Sequence, residues 1–420
     1  MSACHTEARR FVRHGGVGLL LTLAAHPVHA QKARAAATPY VPLASSWERR
    51  SPSAVGMDSV KLADAVTFAV SKESRTPRDL ELNHLQSFGR EPLGDAIGPL
   101  PPRGGATGIV LRRGYVVATW GTPDAEEITN SVTKSFLSTV VGLAVDDGRI
   151  RSVHDTVAHY MPPIVRARPN GTVYSRDWPG TDKLLMPFDT PHNRTITWDH
   201  LLRQVSDWEG TLWGKPEWAD RPAQDASTWT TRARKAPGSA YEYNDTRVNV
   251  LALAALQVWR RPLPEVLKER VMDPIGASNT WRWYGYDNSW IVLDGREVQS
   301  VSGGGHWGGG MILNAWDMAR FGLLTQRRGN WGGKQLLSDA WVKQALTPTS
   351  VEPTYGYMNW FVNTDRKYVA SAPAEAFVHV GAGNNYIYVD PVNDVVAVIR
   401  WMDNGQSLNG FVERLLASLR

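Results

Sequence analysis

Residues 131–148 read SVTKSFLSTVVGLAVDDG, and the interpretation of the whole chain starts from this segment. Its apolar side chains return at helical spacing and should form one buried stripe. They are Val132, Phe136, Val140 and Leu143. Gly148 is a typical residue to end a helix. The pattern therefore predicts a strong amphipathic helix over residues 131–146.

The first turn of this predicted helix carries two residues whose side chains could take part in catalysis, Ser131 and Lys134. Positions i and i+3 share a face of a helix, so the lysine amine can reach the serine hydroxyl. A serine hydroxyl is a weak nucleophile until a base takes its proton, and a lysine can do this when its surroundings favour the neutral amine. Backbone N–H groups at the helix start would favour an oxyanion. Spacing alone favours a simpler alternative, a capped surface helix with a solvated lysine.

Composition excludes several other classes of protein. The chain has 420 residues, of which 42% are hydrophobic and 21% charged, as is typical of a globular protein. The only cysteine, Cys4, excludes a disulfide scaffold, a zinc ribbon, an iron–sulfur protein and a cysteine nucleophile in the body of the chain. Basic residues are not clustered, so no nucleic-acid partner is expected. The body has no apolar run long enough for an integral membrane span, and the histidines show no zinc-ligand spacing.

The N-terminus has the pattern of an export signal. Three arginines precede the apolar run VGLLLTLAA at residues 17–25, and the small-residue sequence VHA follows at residues 28–30. We expect a signal peptide over residues 1–30 and a periplasmic or secreted protein, which also suits a mature chain without cysteine. The alternative is a buried N-terminal helix.

Strand patterns lie towards both ends of the chain. Alternating residues around Arg113-Gly114 predict a hairpin of strands at 109–112 and 115–120. Segments rich in β-branched and aromatic residues predict further strands at 377–380, 386–390 and 395–401.

Helical patterns lie mainly between these strands. We expect helices after the capping pair Asp58-Ser59, at residues 200–204 and 248–259, and at the C-terminus from about Leu408, whereas residues 74–106 are predicted to be a long loop. The sequence thus predicts an α+β fold, with a mostly antiparallel sheet built from both ends of the chain and flanked by helices.

Five segments in this order make the chain similar to the serine β-lactamase-related hydrolases. They are residues 131–148, LLRQVSDWEG from residue 201, PGSAYEYNDT at 237–246, WGGGMILNAWDMARFGL at 307–323 and HVGAGNNYIYVDP at 379–391. This superfamily includes class C β-lactamases, D-alanyl-D-alanine peptidases, certain esterases and 6-aminohexanoate-dimer hydrolases. The resemblance covers about residues 45–420.

The resemblance implies a β-lactamase/transpeptidase-like architecture. We expect residues 31–121 and 286–420 to form an α/β domain with a central antiparallel sheet. Residues 122–285 would form an inserted, mostly helical domain, with the active site at the interface.

The resemblance also implies roles for individual residues. Ser131 would be the nucleophile, and Tyr243 of Tyr243-Asn244-Asp245 would work with Lys134, either of the two being the formal base. Lys134 would hold down the pKa of Tyr243 so that the phenol is partly ionised. Asp245 stands where the family has asparagine, and an ionised aspartate cannot donate a hydrogen bond to a ligand carbonyl. It would bind a substrate carrying an amine or another donor, or else cap the following helix.

Further substrate contacts are implied by the third motif, His379-Val380-Gly381. Gly381 would let a ligand approach the strand closely, and the N–H groups of Ser131 and Ala382 would form the oxyanion hole. His379 would contact substrate, or would merely pack within the strand. Trp208 and Trp307 lie in segments that the family places near the cleft, although core packing is the alternative for each.

These observations predict an exported serine hydrolase that cleaves a small ester or a short non-peptide amide through an acyl-enzyme, without a metal or organic cofactor. One alternative is a β-lactamase or D-alanyl-D-alanine peptidase. A second is an inactive relative that binds a ligand without turnover.

Overall fold

The computed structural model describes residues 39–167, 184–362, 364 and 368–420. The predicted signal peptide and the alternative N-terminal helix lie outside these residues. Within the described ranges, no helix combines the length and apolar character that a membrane crossing needs.

The described helices lie mostly where their sequence patterns predict them. They are α1 (Ser59–Ser71), α2 (Leu80–Gln86), α3 (Thr133–Asp146), α4 (Trp198–Leu202), α5 (Asp245–Trp259), α6 (Leu263–Leu267), α7 (Ala315–Gln326), α8 (Asp339–Ala345) and α9 (Gly405–Ala417). Asp58 caps α1 as predicted, because its side chain accepts hydrogen bonds from the backbone N–H groups of Val60 and Lys61.

The described strands include several that the sequence patterns did not reveal. They are β1 (Thr107–Arg112), β2 (Tyr115–Trp120), β3 (Glu127–Ile128), β4 (Ile164–Arg166), β5 (Leu184–Leu185), β6 (Thr211–Leu212), β7 (Lys215–Pro216), β8 (Arg282–Leu293), β9 (Arg296–Val301), β10 (Gly310–Leu313), β11 (Asn330–Trp331), β12 (Lys334–Gln335), β13 (Trp360–Phe361), β14 (Phe377–Gly381), β15 (Asn385–Asp390) and β16 (Val395–Arg400).

The larger sheet joins the two ends of the chain. Its strand order is β13-β14-β15-β16-β1-β2, and every neighbouring pair is antiparallel. The junction is the pairing of β1 with β16, in which Val110 lies opposite Ala397. The α+β fold and the antiparallel sheet are thus confirmed.

Helices cover both faces of this sheet because its central strands carry runs of consecutive apolar residues. On one face, Ile109 and Leu111 pack in the core that contains α3 and α7. On the other face, Val110 packs in the core that contains α1 and α9. Successive side chains of a strand point to opposite faces, so one apolar run contributes to both cores.

A second sheet has the order β3-β10-β8-β4-β5, with β9 also paired to β8. Its strand β10 connects to the site, because Met311 N–H donates to the Thr133 hydroxyl and Met311 O accepts from Thr129 N–H. This sheet therefore braces the segment that carries Ser131.

The loop prediction for residues 74–106 is wrong over α2. Asp79 accepts a hydrogen bond from the N–H of Leu82 and caps this helix, and Leu80 and His84 are buried by it. The prediction failed because prolines and glycines surround α2 and because this short helix has only two buried positions. The division into two domains at residues 122 and 285 stays a prediction.

Candidate active site

Ser131 lies in a 3-10 turn, Asn130–Val132, that leads directly into α3. Asn130 has a left-handed backbone with φ 50°, which asparagine tolerates better than most residues. Its side-chain amide donates to Ala382 O at 2.9 Å. The turn is therefore tied to the end of β14, and Ser131 lies between the helix and the large sheet.

Lys134 points back at Ser131 as the spacing predicts. Its Nζ atom donates to Ser131 Oγ at 2.7 Å, and only 1% of the residue is exposed. The alternative of a solvated surface lysine is therefore wrong. Gly304 O accepts from Ser131 Oγ at 3.1 Å and from Lys134 Nζ at 3.3 Å.

Gly304 was not found from the sequence, although it lies in the glycine run 303–305. It has φ +84°, and a Cβ atom there would lie 2.3 Å from Asn130 O. Only glycine allows this backbone to approach the serine turn. The run of glycines was the available signal for such an approach.

Tyr243 completes a group of three with Ser131 and Lys134. Its side chain lines the same cavity as Ser131, and Lys134 Nζ lies 5.0 Å from its ring centre. Burial raises the pKa of Tyr243 well above its usual value, and the charge of Asp245 adds to the rise. This direction is opposite to the partly ionised phenol that the resemblance implies, whereas the catalytic role of Tyr243 stays a prediction.

Asp245 is paired with the lysine and is almost completely buried. Its Oδ1 atom lies 2.6 Å from Lys134 Nζ, with 1% of the aspartate side chain exposed. The structure therefore directs this carboxylate towards Lys134, and its predicted contact with a substrate donor stays untested. Asp245 is not the cap of α5, because Asn244 accepts from Arg247 N–H at 3.0 Å and fills that role.

A second layer of charged groups surrounds Asp245. Its Oδ2 atom accepts from His306 Nδ1 at 2.9 Å and from Arg221 at 3.2 Å. Arg221 also pairs with Asp220, and Glu91 lies 3.2 Å from His306 Nε2. None of these four residues was found from the sequence, because they come from separate segments without a recognisable motif.

The cations of this layer keep Asp245 ionised. Burial alone would raise the pKa of Asp245, but the charges of Lys134 and Arg221 and the hydrogen bond from His306 hold it well below its usual range. By contrast, burial and the charge of Asp245 raise the pKa of Asp220 to about 6. Burial alone would lower the pKa of His306, but the hydrogen bond to Asp245 and the nearby Glu91 carboxylate outweigh it, so the pKa is raised.

Gly381 and Ala382 lie beside the serine turn. A Cβ atom on Gly381 would lie 2.0 Å from Thr129 O, so glycine is needed for β14 to approach this turn. Ala382 lines the same cavity as Ser131. The structure brings both residues to the nucleophile, whereas their contacts with substrate stay predictions.

His379 points away from this cavity. Its Nδ1 atom lies 2.8 Å from Ser135 Oγ, and 3% of the residue is exposed. Neighbouring Val378 and Val380 line the cavity instead. Strand side chains alternate between faces, so the packing alternative describes the position of His379.

Trp208 and Trp307 are also buried away from the cavity. Trp208 Nε1 donates to Pro187 O at 2.6 Å, and Trp307 packs on His306 with ring centres 4.2 Å apart. Core packing, the stated alternative, describes their surroundings. Trp360, which the sequence analysis did not single out, lines the cavity and contacts Tyr243 with ring centres 5.9 Å apart.

The cavity at Ser131 has a volume of about 520 Å³. Its described lining is largely apolar or aromatic, apart from a few groups near the serine such as Arg221. The apolar and aromatic lining includes Tyr243, Trp360, Phe361, Val362, Val378 and Val380. A pocket of this size and composition suits an apolar group of a small molecule.

Possible metal ligands come together at one place in the described ranges. Atoms of Glu91, Asp220 and His306 lie within 4.8 Å of one another. Both ring nitrogens of His306 already face carboxylates, Nε2 towards Glu91 and Nδ1 towards Asp245. Arg221 supplies a further positive charge, so this arrangement favours ion pairing over a bound cation.

Comparison with known proteins places the chain among related sequences and folds. The family described as Beta-lactamase matches residues 97–413. The chain is 25% identical over 317 residues to a 6-aminohexanoate-dimer hydrolase of Paenarthrobacter ureafaciens, with 70% of this chain and 72% of that hydrolase covered.

Two solved structures share the fold. A family VIII carboxylesterase is 15% identical, with a TM-score of 0.53 and coverage of 86% of this chain and 98% of that one. A penicillin-binding protein homologue of Caulobacter crescentus is 16% identical, with a TM-score of 0.51 and coverage of 87% and 99%.

Proposed function

The chain belongs to the beta-lactamase family and is a serine hydrolase, and from this premise we propose that it cleaves a small ester or a short non-peptide amide through an acyl-enzyme. The observation that carries the proposal is the hydrogen bond from Lys134 to Ser131 at an apolar cavity that Tyr243 also lines. The relative named as a 6-aminohexanoate-dimer hydrolase supports an amide bond as one possible target.

In the proposed reaction, Ser131 Oγ attacks the carbonyl carbon while its proton passes to the neutral amine of Lys134. The N–H groups of Ser131 and Ala382 hold the negative charge on the carbonyl oxygen. The phenol of Tyr243 gives its proton to the departing oxygen or nitrogen and is reprotonated from Lys134. Water then attacks the acyl group through the reverse proton path and releases the acid.

Asp245 favours this substrate class over acyl-amides of the penicillin type. Its carboxylate is occupied by Lys134, Arg221 and His306 and cannot donate to a ligand carbonyl. The apolar lining around Trp360 and Val378 supports an apolar acyl or alkyl group in the cavity.

Mass spectrometry after incubation with nitrophenyl esters, short amides and β-lactams tests the proposal. We expect an acyl adduct on Ser131 from esters or amides, and no adduct in Ser131→Ala. Ser138→Ala is a matched control, because Ser138 is buried on the same helix outside the cavity lining. Faster reaction with a chromogenic cephalosporin than with esters would favour the penicillin-recognising alternative. Failure of a fluorophosphonate probe to label Ser131 would favour a binding protein.

We also propose export to the periplasm or the exterior, which rests on the sequence of residues 1–30. N-terminal sequencing of the mature protein tests this proposal. A start after Ala30 would support it, and an intact Met1 in the cytoplasmic fraction would contradict it.

A further inference from the structure

Six charged groups form one network behind the nucleophile, in which four side chains are buried and those of Arg221 and Glu91 are partly exposed. Three carboxylates, from Glu91, Asp220 and Asp245, meet three cations, from Lys134, Arg221 and His306. With every group ionised, their charges cancel. Removing one charge therefore leaves a net charge close to Lys134, where the low dielectric of a buried site strengthens its effect.

Asp245 is the link between the two parts of this network. One carboxylate oxygen contacts Lys134 at 2.6 Å, and the other accepts from His306 Nδ1 at 2.9 Å and from the His306 backbone N–H at 3.2 Å. A carboxylate beside an amine favours the protonated amine, which opposes its use as a base. A cation on the far side of the same carboxylate offsets this effect.

His306 is held in the position that this role requires. Its ring stacks on Phe88 with centres 4.5 Å apart and tilts against Trp307 at 4.2 Å. Nδ1 faces Asp245 and Nε2 faces Glu91 at 3.2 Å. A ring with a carboxylate at each nitrogen is best satisfied as a double donor, the imidazolium.

We propose that His306 is a positioning residue that, through Asp245, controls how readily Lys134 accepts the proton of Ser131. The inference rests on the proposed function, since it concerns activation of the same serine. His306 does not touch Ser131. Its positive charge partly offsets the negative charge of Asp245, which would otherwise hold a proton on the lysine amine.

Other charged and titratable groups around His306 also contribute to its electrostatic environment. They are Glu91, Asp220, Asp245, Arg221 and, at longer range, His84. Of these groups, only Asp245 contacts both His306 and Lys134 in the described structure. This makes His84 a control that is electrostatically close but not linked to the lysine.

The test is the second-order rate constant for labelling of Ser131 by a fluorophosphonate, measured against pH. The reagent reports serine activation without depending on substrate choice. His306→Asn keeps a donor near Asp245 but carries no charge. We expect the rising limb of the profile to move to higher pH by about one unit, which makes labelling about tenfold slower at a fixed pH on that limb.

Two variants sharpen the result. Asp245→Asn should move the rising limb in the opposite direction, to lower pH, and this test stands even where His306→Asn does not fold. The ring of His84 contacts Gly94 O at 2.6 Å. His84→Asn should leave the rising limb of the labelling profile at the same pH.

The outcomes separate the two proposals. Absence of Ser131 labelling in the unmodified protein would reject the proposed function. The role of His306 alone would be overturned by a different result. In that result Ser131 is labelled normally, and the labelling rate rises at the same pH in the unmodified protein and in a folded His306→Asn or Asp245→Asn variant. Equal shifts in His306→Asn and His84→Asn would also overturn it, since they would indicate a general effect of replacing a histidine in this region.

Discussion

The Nζ atom of Lys134 lies 2.6 Å from Oδ1 of Asp245, and no more than 2% of either side chain is exposed. A buried ion pair of this kind repays its loss of hydration only while both partners are present. Asp245 therefore affects stability as well as the proton balance at Ser131.

Asp245→Asn should lower the free energy of unfolding by about 3 kcal/mol, because it leaves Lys134 and Arg221 without their shared carboxylate. Urea denaturation followed by circular dichroism measures this. Asp294→Asn is the control, since Asp294 pairs with Arg260 on the exposed surface and its loss should have no measurable effect. Equal midpoints for Asp245→Asn and the unmodified protein would contradict the prediction.

Lys134→Ala should reduce turnover of a nitrophenyl ester by more than about 100-fold with the fold retained, because Ser131 loses the amine 2.7 Å from its hydroxyl. Steady-state kinetics and circular dichroism measure the two parts. Lys61→Ala, on the exposed side of α1, serves as the control. Near-normal turnover in Lys134→Ala would remove this lysine from the mechanism.

Gly381→Ala should impair acylation of Ser131 by at least about tenfold. The added Cβ would meet Thr129 O at 2.0 Å, so β14 must move away from the serine turn, and a small misplacement of reacting groups is costly. Gly105→Ala is a milder substitution, because its Cβ would meet only the ends of the Arg78 and Glu73 side chains at 3.2 and 3.3 Å. Equal acylation rates in both variants would show that the close approach of β14 is not needed.

His379 should make the protein sensitive to acid. Burial lowers the pKa of His379 to about 3 from its ordinary value of 6.5, so the unfolded chain binds a proton that the folded chain excludes. This contribution to stability is complete at a pH above the pKa of His379 in the unfolded chain. It is lost at about 1.4 kcal/mol per pH unit as the pH falls towards the pKa in the folded chain.

His379→Asn tests this assignment, because asparagine can keep a hydrogen bond to Ser135 without titrating. We expect a flatter dependence of unfolding free energy on pH below neutrality, measured by urea denaturation at several pH values. His159→Asn, whose ring contacts Thr156 in an exposed position, should keep the original slope. An unchanged slope in His379→Asn would assign the acid sensitivity to other groups.

The sequence was informative wherever a local pattern decides the structure. The stripe from Val132 to Leu143 predicts α3, and the spacing of Ser131 and Lys134 predicts their contact. The hairpin of β1 and β2 follows from alternation around Arg113-Gly114. Such features depend on neighbours in the chain and need no knowledge of the rest of the molecule.

Contacts between distant segments could not be predicted in the same way. Arg221 and His306 meet Asp245 only after the chain has folded, and neither belongs to a recognisable motif. The strand containing His379 was predicted, but the face on which the histidine lies depends on register with β15, where His379 is opposite Ile387. A one-residue change in that register would reverse its orientation.

The equal numbers of positive and negative groups behind Ser131 have a consequence for redesign. Replacing Asp245 with the family's asparagine leaves an excess cation beside Lys134, so the exchange should retain full stability only together with a neutral residue at position 221 or 306. The departure from the family motif is therefore a property of several positions at once. Introducing an aspartate at this position in a relative would also require the charged residues that contact Asp245 here.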